Sequence, residues 1–450
     1  MKKKKIKENQ GLQYITVVSL LLIIVFSAGI AAGCNDAESL YLDKALQAAE
    51  WIKSSAVKTP DGVVWPGVPG ELKSVSKNLY AGTPGVVLFF LETYYSTGNK
   101  SYLEDACEGA NHLLASTSEE KNMGLYTGVA GVGFVLEETF KATGKKKYRD
   151  GVRQCIQLIR SGAENKGKGI QWDKYTDIIS GSAGTGLFLL YIARKLEDPT
   201  IYDLAAQAGT RLLEMGIPEK NGLKWFMSPD YPKLMPNFSH GTAGIAYFLA
   251  TLYQHTKKKE FLDGALAGAK YLLAIAKTEG DACLIFHHEP DGKDLYYLGW
   301  CHGPVGTARL FYRLYEVTGD KTWLDWVKKS ANAILESGIP EKQTPGYWNN
   351  VSRCCGAAGV AEFFLDLYRI TKNKDYIAFS KKVTNHILKK AAPEGKGLKW
   401  IQAEHRVKPD LLLAQTGLMQ GAAGIGMWLL KLNAFEKGKK EKIIFPDSPF

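Results

Sequence analysis

A short glycine motif, Gly-x-x-Gly, occurs seven times along the chain and restricts its possible folds more than any other feature. Each copy opens a mostly apolar run, such as residues 86–91, and successive copies begin 46 to 65 residues apart. The first glycines of the seven copies are Gly82, Gly128, Gly181, Gly241, Gly303, Gly356 and Gly421. Repeats of this kind are typical of architectures in which each unit buries its apolar face against the next one.

Two helices joined by a tight turn are predicted within each repeat. The first apolar run ends near Gly98, and a glycine in that position is a common helix stop. In the following stretch Leu103, Ala106 and Ala110 are spaced three and four residues apart, as on one face of a surface helix. Each unit is therefore a buried helix and an amphipathic helix. Loops with an apolar-x-Trp element, such as residues 223–225, predict short hairpins at one rim.

The number of helices decides the architecture. Residues 39–56 have the pattern of an extra amphipathic helix before the first motif, and the buried helix that follows Gly424 has no partner after it. The chain therefore supplies seven outer and seven inner helices without polar caps at its ends, which favours a closed ring over an open solenoid. We predict an all-α fold, an α/α toroid over residues 39–435 with a glycine motif opening each inner helix, and a basic C-terminal tail at 436–450.

Residues 1–38 are predicted to be a signal peptide and linker that precede the ring. A lysine-rich start is followed by an apolar, uncharged run over residues 15–30 and by Ala-Ala-Gly immediately before Cys34. This pattern resembles a bacterial lipobox and predicts that Cys34 carries the lipid of an extracytoplasmic, membrane-anchored lipoprotein. The alternative is an uncleaved membrane span, although 16 apolar residues are few for a bilayer that needs about 20.

Composition and charge limit the class of protein. The sequence is 45% hydrophobic and 23% charged, which is an ordinary globular balance, and its formal net charge is +11. The basic residues are scattered through predicted turns, as at 145–147 and 257–259, so we expect no nucleic-acid partner. These patterns do not indicate an oligomeric state.

Reactive residues stand beside three of the seven glycine motifs. His240 precedes the fourth motif, Cys301 and His302 precede the fifth, and Cys354 and Cys355 precede the sixth. Because all of them stand just before an inner helix, a ring should bring them to the same rim.

The three cysteines have the chemistry of a zinc site. Zn²⁺ prefers tetrahedral sulfur and nitrogen ligands, and a catalytic site leaves the fourth position open. We predict Cys301, Cys354 and Cys355 as metal ligands, with His302 as an alternative nitrogen ligand. The competing interpretation is a disulfide from Cys301 to Cys354 or Cys355 in an oxidising compartment.

His240 and Asp177 are candidates for proton transfer. A neutral histidine near a metal has a pKa suited to acid–base work near pH 7. Asp177, four residues before the third motif, could orient His240 on the neighbouring unit. The simpler interpretations are a histidine at a helix end and a carboxylate that caps a loop or helix.

In their order and register these motifs resemble those of the lanthionine synthetase C-like family, over nearly all of the sequence after residue 38. The family's hallmarks are an Asp before the third motif, His-Gly at the fourth, Trp-Cys at the fifth, and Cys followed by His or Cys at the sixth. They correspond here to Asp177, His240, Cys301, Cys354 and Cys355.

The resemblance implies a fold and a reaction. The fold is a toroid of seven inner and seven outer helices. A zinc ion lowers the pKa of a peptide thiol, the thiolate adds to the β-carbon of a dehydroalanine or dehydrobutyrine, and an acid protonates the resulting enolate. His240 is the candidate acid, and the product is a thioether.

Two positions depart from the pattern of many stand-alone members. Cys354-Cys355 stands where those members have Cys-His, as in the cyclase domains of bifunctional synthetases, and three thiolates should make a bound substrate thiolate more nucleophilic. An Arg that often stands four residues before the Trp-Cys cysteine is Tyr297 here.

Two other functions fit parts of the sequence. One is a cell-surface, carbohydrate-active toroid, a hydrolase or epimerase, that would use two carboxylates such as Asp177 and Glu404. It does not account for the three cysteines. The other is a non-catalytic scaffold that keeps zinc for structure alone.

Overall fold

Fourteen α-helices alternate between two layers in the part of the chain that the structure describes, which is residues 39–220 and 222–450 of a computed structural model. The outer helices are α1 (Leu40–Ser54), α3 (Lys100–Ser116), α5 (Lys146–Ser161), α7 (Pro199–Met215), α9 (Lys259–Ile275), α11 (Thr322–Glu336) and α13 (Lys374–Lys389). The inner helices are α2 (Thr83–Thr97), α4 (Val129–Thr143), α6 (Ser182–Leu196), α8 (Thr242–Thr256), α10 (Pro304–Thr318), α12 (Ala357–Thr371) and α14 (Ala422–Glu436).

The described ranges exclude the predicted signal peptide, so Cys34 and its predicted lipid lie outside them. Within those ranges no helix is both long enough and apolar enough to cross a membrane. Residues 44–450 form one compact unit.

Each inner helix begins directly after the first glycine of a motif, as the sequence predicts. The glycine is required where the backbone turns in, because a Cβ atom at Gly241 would overlap the carbonyl oxygen of Met235. At the other end of α2, Gly98 has a φ of 72° and closes the helix in the left-handed conformation. The first three turns of α2 are buried on every side, whereas α3 buries a single stripe.

The ring closes in both layers. Neighbouring inner helices contact one another all the way round, and the last of them, α14, contacts the first, α2. Gly426 of α14 faces the ring of Phe89 on α2 with no space for a side chain. In the outer layer the last hairpin, at Gly397, packs on Trp51 of α1. The predicted α/α toroid is confirmed.

Short antiparallel hairpins join outer helices to the following inner helices, and they form five small sheets in the described residues. The strands are β1 (Val57–Thr59), β2 (Gly62–Val64), β3 (Glu164–Lys166), β4 (Gly169–Gln171), β5 (Ile217–Glu219), β6 (Gly222–Lys224), β7 (Lys277–Glu279), β8 (Ala282–Leu284), β9 (Ala391–Glu394), β10 (Gly397–Ala403) and β11 (Leu412–Ala414).

The tryptophans of the apolar-x-Trp elements attach these hairpins to the outer helices. The ring N–H of Trp225 donates to the carbonyl of Leu212 at 2.6 Å, and that of Trp400 donates to the carbonyl of Ile387 at 2.9 Å. Both carbonyls lie in the last turn of an outer helix, where the amide four residues further on no longer belongs to the helix. The repeated tryptophan therefore ends a helix and starts the path toward the rim.

The chain after α14 returns among the inner helices. Residues 436–450, predicted as a basic tail and here called the C-terminal segment, bury Ile443, Phe445 and Asp447. The amide of Ile443 donates to the carboxylate of Glu92 on α2 at 2.9 Å. The segment is therefore packed into the end of the ring opposite the glycine motifs. The boundaries predicted from the sequence, with segments at 1–38, 39–435 and 436–450, remain predictions.

Candidate metal centre and its cavity

The three predicted cysteine ligands lie together at the rim. Their sulfur atoms are all within 4.8 Å of one another, with 3.3 Å between Cys301 and Cys355 and 3.6 Å between Cys354 and Cys355. A disulfide requires about 2.05 Å, and all three residues are free thiols. Sulfur atoms that share a tetrahedral zinc ion at about 2.3 Å are about 3.8 Å apart. The cluster therefore matches the spacing of a three-thiolate metal site.

The backbone fixes this cluster through the loops that precede neighbouring inner helices. Cys301 stands just before α10 and Cys354 just before α12. The amides of Trp300 and Cys301 both donate to the carbonyl of Cys354, at 2.9 and 3.2 Å. The amide of Cys354 in turn donates to Met419, in the loop before α14, at 2.9 Å. Three adjacent loops therefore hold the sulfur atoms in place.

Polar groups around the sulfur atoms favour negative charge on one of them. Hydrogen bonds from Cys301 and Cys354 lower the pKa of Cys355 well below its usual value, whereas burial raises the pKa of Cys301 and of Cys354. The hydroxyl of Tyr80 donates to Cys354 Sγ at 3.2 Å, and the amide of Gln420 donates to Cys355 Sγ at 3.5 Å. The protein alone thus stabilises one thiolate, and a bound cation is what would stabilise the other two.

His240 and Asp177 form a pair on the same rim. His240 Nδ1 lies 2.6 Å from Asp177 Oδ2, and the other carboxylate oxygen accepts from the amides of Ser180 and Gly181 at 2.9 and 2.8 Å. Asp177 is only 1% exposed, so its carboxylate is held rigidly. The contact fixes the proton on Nδ1 and leaves Nε2 of His240 as the nitrogen that can exchange a proton.

Two further histidines pack beside His240. The ring of His302 lies 4.1 Å from that of His287 and 5.6 Å from that of His240, measured between centroids. Burial lowers the pKa of His302 well below its usual value and that of His287 to about 3, so both are neutral. The group of described residues that could hold a metal contains the three cysteines and not His302, which remains a neighbour of the cluster.

The cluster and the His240 pair open into one cavity of about 450 Å³, here called the rim cavity. Its remaining wall includes four tyrosine or tryptophan side chains, among them Tyr297 and Trp348, whose ring centroids are 5.1 Å apart. Burial raises the pKa of Tyr297 to about 12, while a hydrogen bond from Arg406 opposes the shift. An arginine therefore reaches this wall from the loop between β10 and β11, although Tyr297 replaces the arginine expected from the family pattern.

The two carboxylates that a carbohydrate-active enzyme would use here already accept hydrogen bonds from the protein. Asp177 accepts three hydrogen bonds as described above, and Glu404 lines the rim cavity while accepting from the side-chain amide of Gln415 at 2.7 Å.

Sequence reasoning missed several residues of the rim cavity, notably Tyr80, His287 and Gln420. A positional signal for some of them was available. The residue immediately before the glycine motif lines the cavity in five of the seven units, namely Thr127, His240, His302, Cys355 and Gln420.

The sequence comparison agrees with this geometry. The model of the family described as lanthionine synthetase C-like protein matches residues 73–445. The chain belongs to that family. A curated relative from Danio rerio, glutathione S-transferase LANCL1, is 23% identical over 312 residues, which cover 66% of this chain and 71% of the relative.

Solved structures with similar folds come from proteins of different activity. Nisin cyclase has a TM-score of 0.61 at 18% identity, covering 86% of this chain and 92% of its own. The GH76A alpha-1,6-mannanase of Salegentibacter has a TM-score of 0.50 at 13% identity, covering 87% and 99%. At these identities the likeness shows the toroid alone, so the choice of chemistry depends on the site.

Proposed function

We propose that this protein is a zinc-dependent enzyme that adds a thiol to a dehydroalanine or dehydrobutyrine residue and so forms a thioether. The observation that carries the proposal is the three-cysteine cluster facing the same cavity as the His240–Asp177 pair. One half of this arrangement suits activation of a thiol, and the other suits proton transfer to the carbon next to the one attacked.

The residues of the chain divide the reaction between them. Cys301, Cys354 and Cys355 would hold zinc, which when bound lowers the pKa of a fourth, substrate sulfur. The aromatic wall of the rim cavity would exclude water and hold the electrophile against that sulfur. After the sulfur bonds to the β-carbon, a protonated His240 Nε2 would deliver a proton to the α-carbon. Asp177 would stabilise the positive imidazolium before that transfer.

The source of the thiol has two candidates. The lanthionine synthetase C-like family points to a cysteine within a peptide, and the name of the Danio rerio relative points to glutathione. Both present a flexible aliphatic thiol with neighbouring carboxylate or amide groups. Arg406, a half-buried arginine that lines the rim cavity, would bind such an acceptor or carboxylate group. A peptide or a small thiol is therefore the proposed partner.

The other proposals explain less of the site. A carbohydrate hydrolase or epimerase leaves the thiol cluster unexplained, and its two candidate carboxylates already accept hydrogen bonds from the protein. A non-catalytic zinc scaffold explains the cluster but not an oriented histidine beside an open cavity. A structural zinc site is usually closed by a fourth protein ligand, and the described residues supply three.

The place of action that we propose is the outer face of a membrane, with the chain anchored by a lipid on Cys34. The support is the basic start, the apolar run and the small residues before Cys34 in the sequence. Cys34→Ser should release the protein from the membrane fraction or stop its processing. Unchanged fractionation and mass would instead favour an uncleaved span.

The thiol-addition proposal is tested by measuring zinc content together with the rate of addition to a dehydroalanine peptide. Cys301→Ala and Cys354→Ala should lose zinc and activity together. His240→Ala should keep zinc and lower the rate about 100-fold or more, because a general acid contributes on that scale. Glutathione and a peptide cysteine serve as alternative thiols in the same assay.

The matched control is Cys283→Ala, which removes a buried cysteine on β8 outside the cluster. It should keep both zinc and rate. Full zinc content and an unaltered rate in all of the site variants would contradict the assignment. Zinc without any thiol addition by the unmodified protein would favour the scaffold.

A further inference from the structure

The C-terminal segment meets the cysteine-bearing loops from beneath. Asp447 is 1% exposed, and its carboxylate accepts from the hydroxyl of Tyr126 at 3.2 Å and from Arg309 at 3.1 Å. Its backbone carbonyl also accepts from Arg309, at 2.9 Å. A carboxylate so deeply buried needs this guanidinium and hydroxyl together, so its position is closely specified.

The first connection to the cluster passes through Tyr126. Its ring packs against that of Trp300, with 5.4 Å between centroids, and Trp300 directly precedes Cys301. The carbonyl of Tyr126 also accepts from the amide of Tyr80 at 3.0 Å, and Tyr80 donates its hydroxyl to Cys354. One residue held by Asp447 therefore contacts neighbours of two of the three sulfur atoms, Trp300 through its ring and Tyr80 through its backbone carbonyl.

A second connection passes through Phe445. The guanidinium of Arg353 lies over the ring of Phe445, 4.3 Å from its centroid, and donates two hydrogen bonds to Glu362 at 2.9 and 3.0 Å. Arg353 directly precedes Cys354. A cation over an aromatic ring and a bidentate carboxylate contact are both directional, so they fix the arginine and with it the start of the Cys354–Cys355 turn.

The same segment is also attached at a place that touches neither loop. Glu441 accepts two hydrogen bonds from Arg369, both at 2.9 Å, and lies 3.3 Å from Lys431. These contacts join the segment to α12 and α14 below the cluster. The chain therefore offers two kinds of anchor in one segment. Asp447 and Phe445 contact residues that adjoin the cysteines, whereas Glu441 is connected to Arg353 only indirectly, through Lys431 and Glu362.

We propose that the C-terminal segment positions the metal ligands, with Asp447 and Phe445 as positioning residues that act through Tyr126, Trp300 and Arg353. The inference rests on the proposed zinc site. Three sulfur atoms from two loops bind a metal tightly only if their spacing is set before the metal arrives. Groups behind metal ligands that hold them in place typically contribute 10- to 100-fold in metal affinity.

The test compares Asp447→Ala with Glu441→Gln in the full-length chain. Zinc affinity is measured by competition with a chelator, and the visible absorption of bound Co²⁺ reports the geometry of the sulfur ligands. Asp447→Ala should weaken zinc binding by about 10-fold or more and shift the Co²⁺ bands. Glu441→Gln should lower the unfolding temperature while leaving zinc affinity and spectrum unchanged.

Two results would overturn the proposal. One is a folded Asp447→Ala protein with the affinity and spectrum of the unmodified chain. The other is an equal change in both variants, because the effect would then follow from general destabilisation. Should Asp447→Ala fail to fold, Tyr126→Phe decides the question, since it removes only the hydroxyl that donates to Asp447. It should weaken zinc binding by a smaller factor, and an unchanged affinity and spectrum would contradict the proposal.

A metal-free measurement separates this inference from the zinc proposal. The rate of alkylation at Cys355 by iodoacetamide, followed by peptide mass spectrometry at one pH, reports the arrangement of the three thiols directly. If the unmodified chain binds neither zinc nor Co²⁺, the proposed function fails. The positioning proposal still stands if Asp447→Ala changes this rate and Glu441→Gln does not, and it falls if the two rates are equal.

Discussion

The two ends of the ring are built from the same helices and differ in almost everything else. At the end where the inner helices begin, short loops direct three thiols and a histidine into an open cavity. At the end where they finish, the C-terminal segment fills the centre and buried charges are paired. Lys431, 7% exposed, lies within 3.3 Å of Glu362, Asp366 and Glu441. The first end holds the reactive groups, and the second supplies much of the rigidity behind them.

Helix polarity accounts for part of this difference. Seven helix N-termini converge at the rim, and their free amides and partial positive charge favour thiolates and anionic substrate groups. The opposite end carries the partial negative charge of seven C-termini, which suits the buried Lys431 in the C-terminal half of α14. The comparison predicts that substitutions among the paired charges at the end where the inner helices finish change stability. Substitutions at the rim, or in the part of the C-terminal segment that contacts the cysteine loops, change the chemistry of the site.

The largest expected effect on stability comes from Lys431→Met. Removing this ammonium takes away the closest counter-charge of the buried Asp366, which lies 2.8 Å from Lys431 and 3.5 Å from Arg369. Breaking a buried ion pair on one side typically costs about 3–5 kcal/mol of unfolding free energy. Urea denaturation of the zinc-bound protein measures the loss. The rate of thiol addition below the unfolding transition should remain close to that of the unmodified chain, and a large loss of rate without a loss of stability would contradict the comparison.

Lys381→Met is the matched control for that substitution. Lys381 also pairs with a carboxylate, Glu436, at 2.6 Å, but the pair lies on the surface with 43% and 33% of the two side chains exposed. Exposed pairs contribute about 0–1 kcal/mol. The difference between the two lysine variants therefore compares a buried ammonium among three carboxylates with an exposed ammonium beside one.

The next effect depends on pH and on the attachment of the C-terminal segment. Burial raises the pKa of Glu92 to about 7, although the amides of Lys442 and Ile443 oppose the shift. An acid whose pKa is raised by folding stabilises the protein fully below its unfolded pKa, and this contribution is lost as the pH rises through 7. From pH 5 to pH 8 the unmodified chain should lose on the order of 3 kcal/mol relative to Glu92→Gln.

Denaturation curves of both proteins across that range provide the measurement for Glu92. The difference in unfolding free energy between the two proteins at each pH reports Glu92 alone, because the other groups titrate equally in both. Parallel curves would show that Glu92 is ionised throughout and that the amides of the C-terminal segment outweigh its burial.

Cys355→His should have the smallest effect on stability. It should instead lower the rate of thiol addition. Zinc accepts an imidazole nitrogen readily, so the metal should be retained. A neutral ligand leaves the metal more positive and a bound thiolate less nucleophilic, so the addition rate should fall by less than it does in His240→Ala. Zinc content, unfolding temperature and rate on the same preparation measure the three effects, and loss of the metal would contradict this account.

The repeat itself could be predicted in detail from the sequence because its signals are local. A glycine motif, an apolar run and a turn glycine all lie within about 20 residues of one another, and counting them leads to seven helix pairs and a closed ring. The placement of Cys301, Cys354 and Cys355 at one rim followed from the same register. Gln420 is marked only by its position directly before the seventh motif, and Tyr80 carries no comparable signal, since a tyrosine two residues before a glycine is ordinary in any loop.

The sequence by itself determined the kind of chemistry available, because three cysteines, a histidine and an aspartate stand at equivalent points of a countable repeat. Only the tertiary structure decided which groups surround them. Tyr80 and Cys354 are 274 residues apart in sequence and meet because the ring closes. Asp447, beyond the last helix, reaches the cysteine loops because the chain end folds back into the centre. Such contacts depend on closure of the whole ring, and no local pattern of residues encodes them.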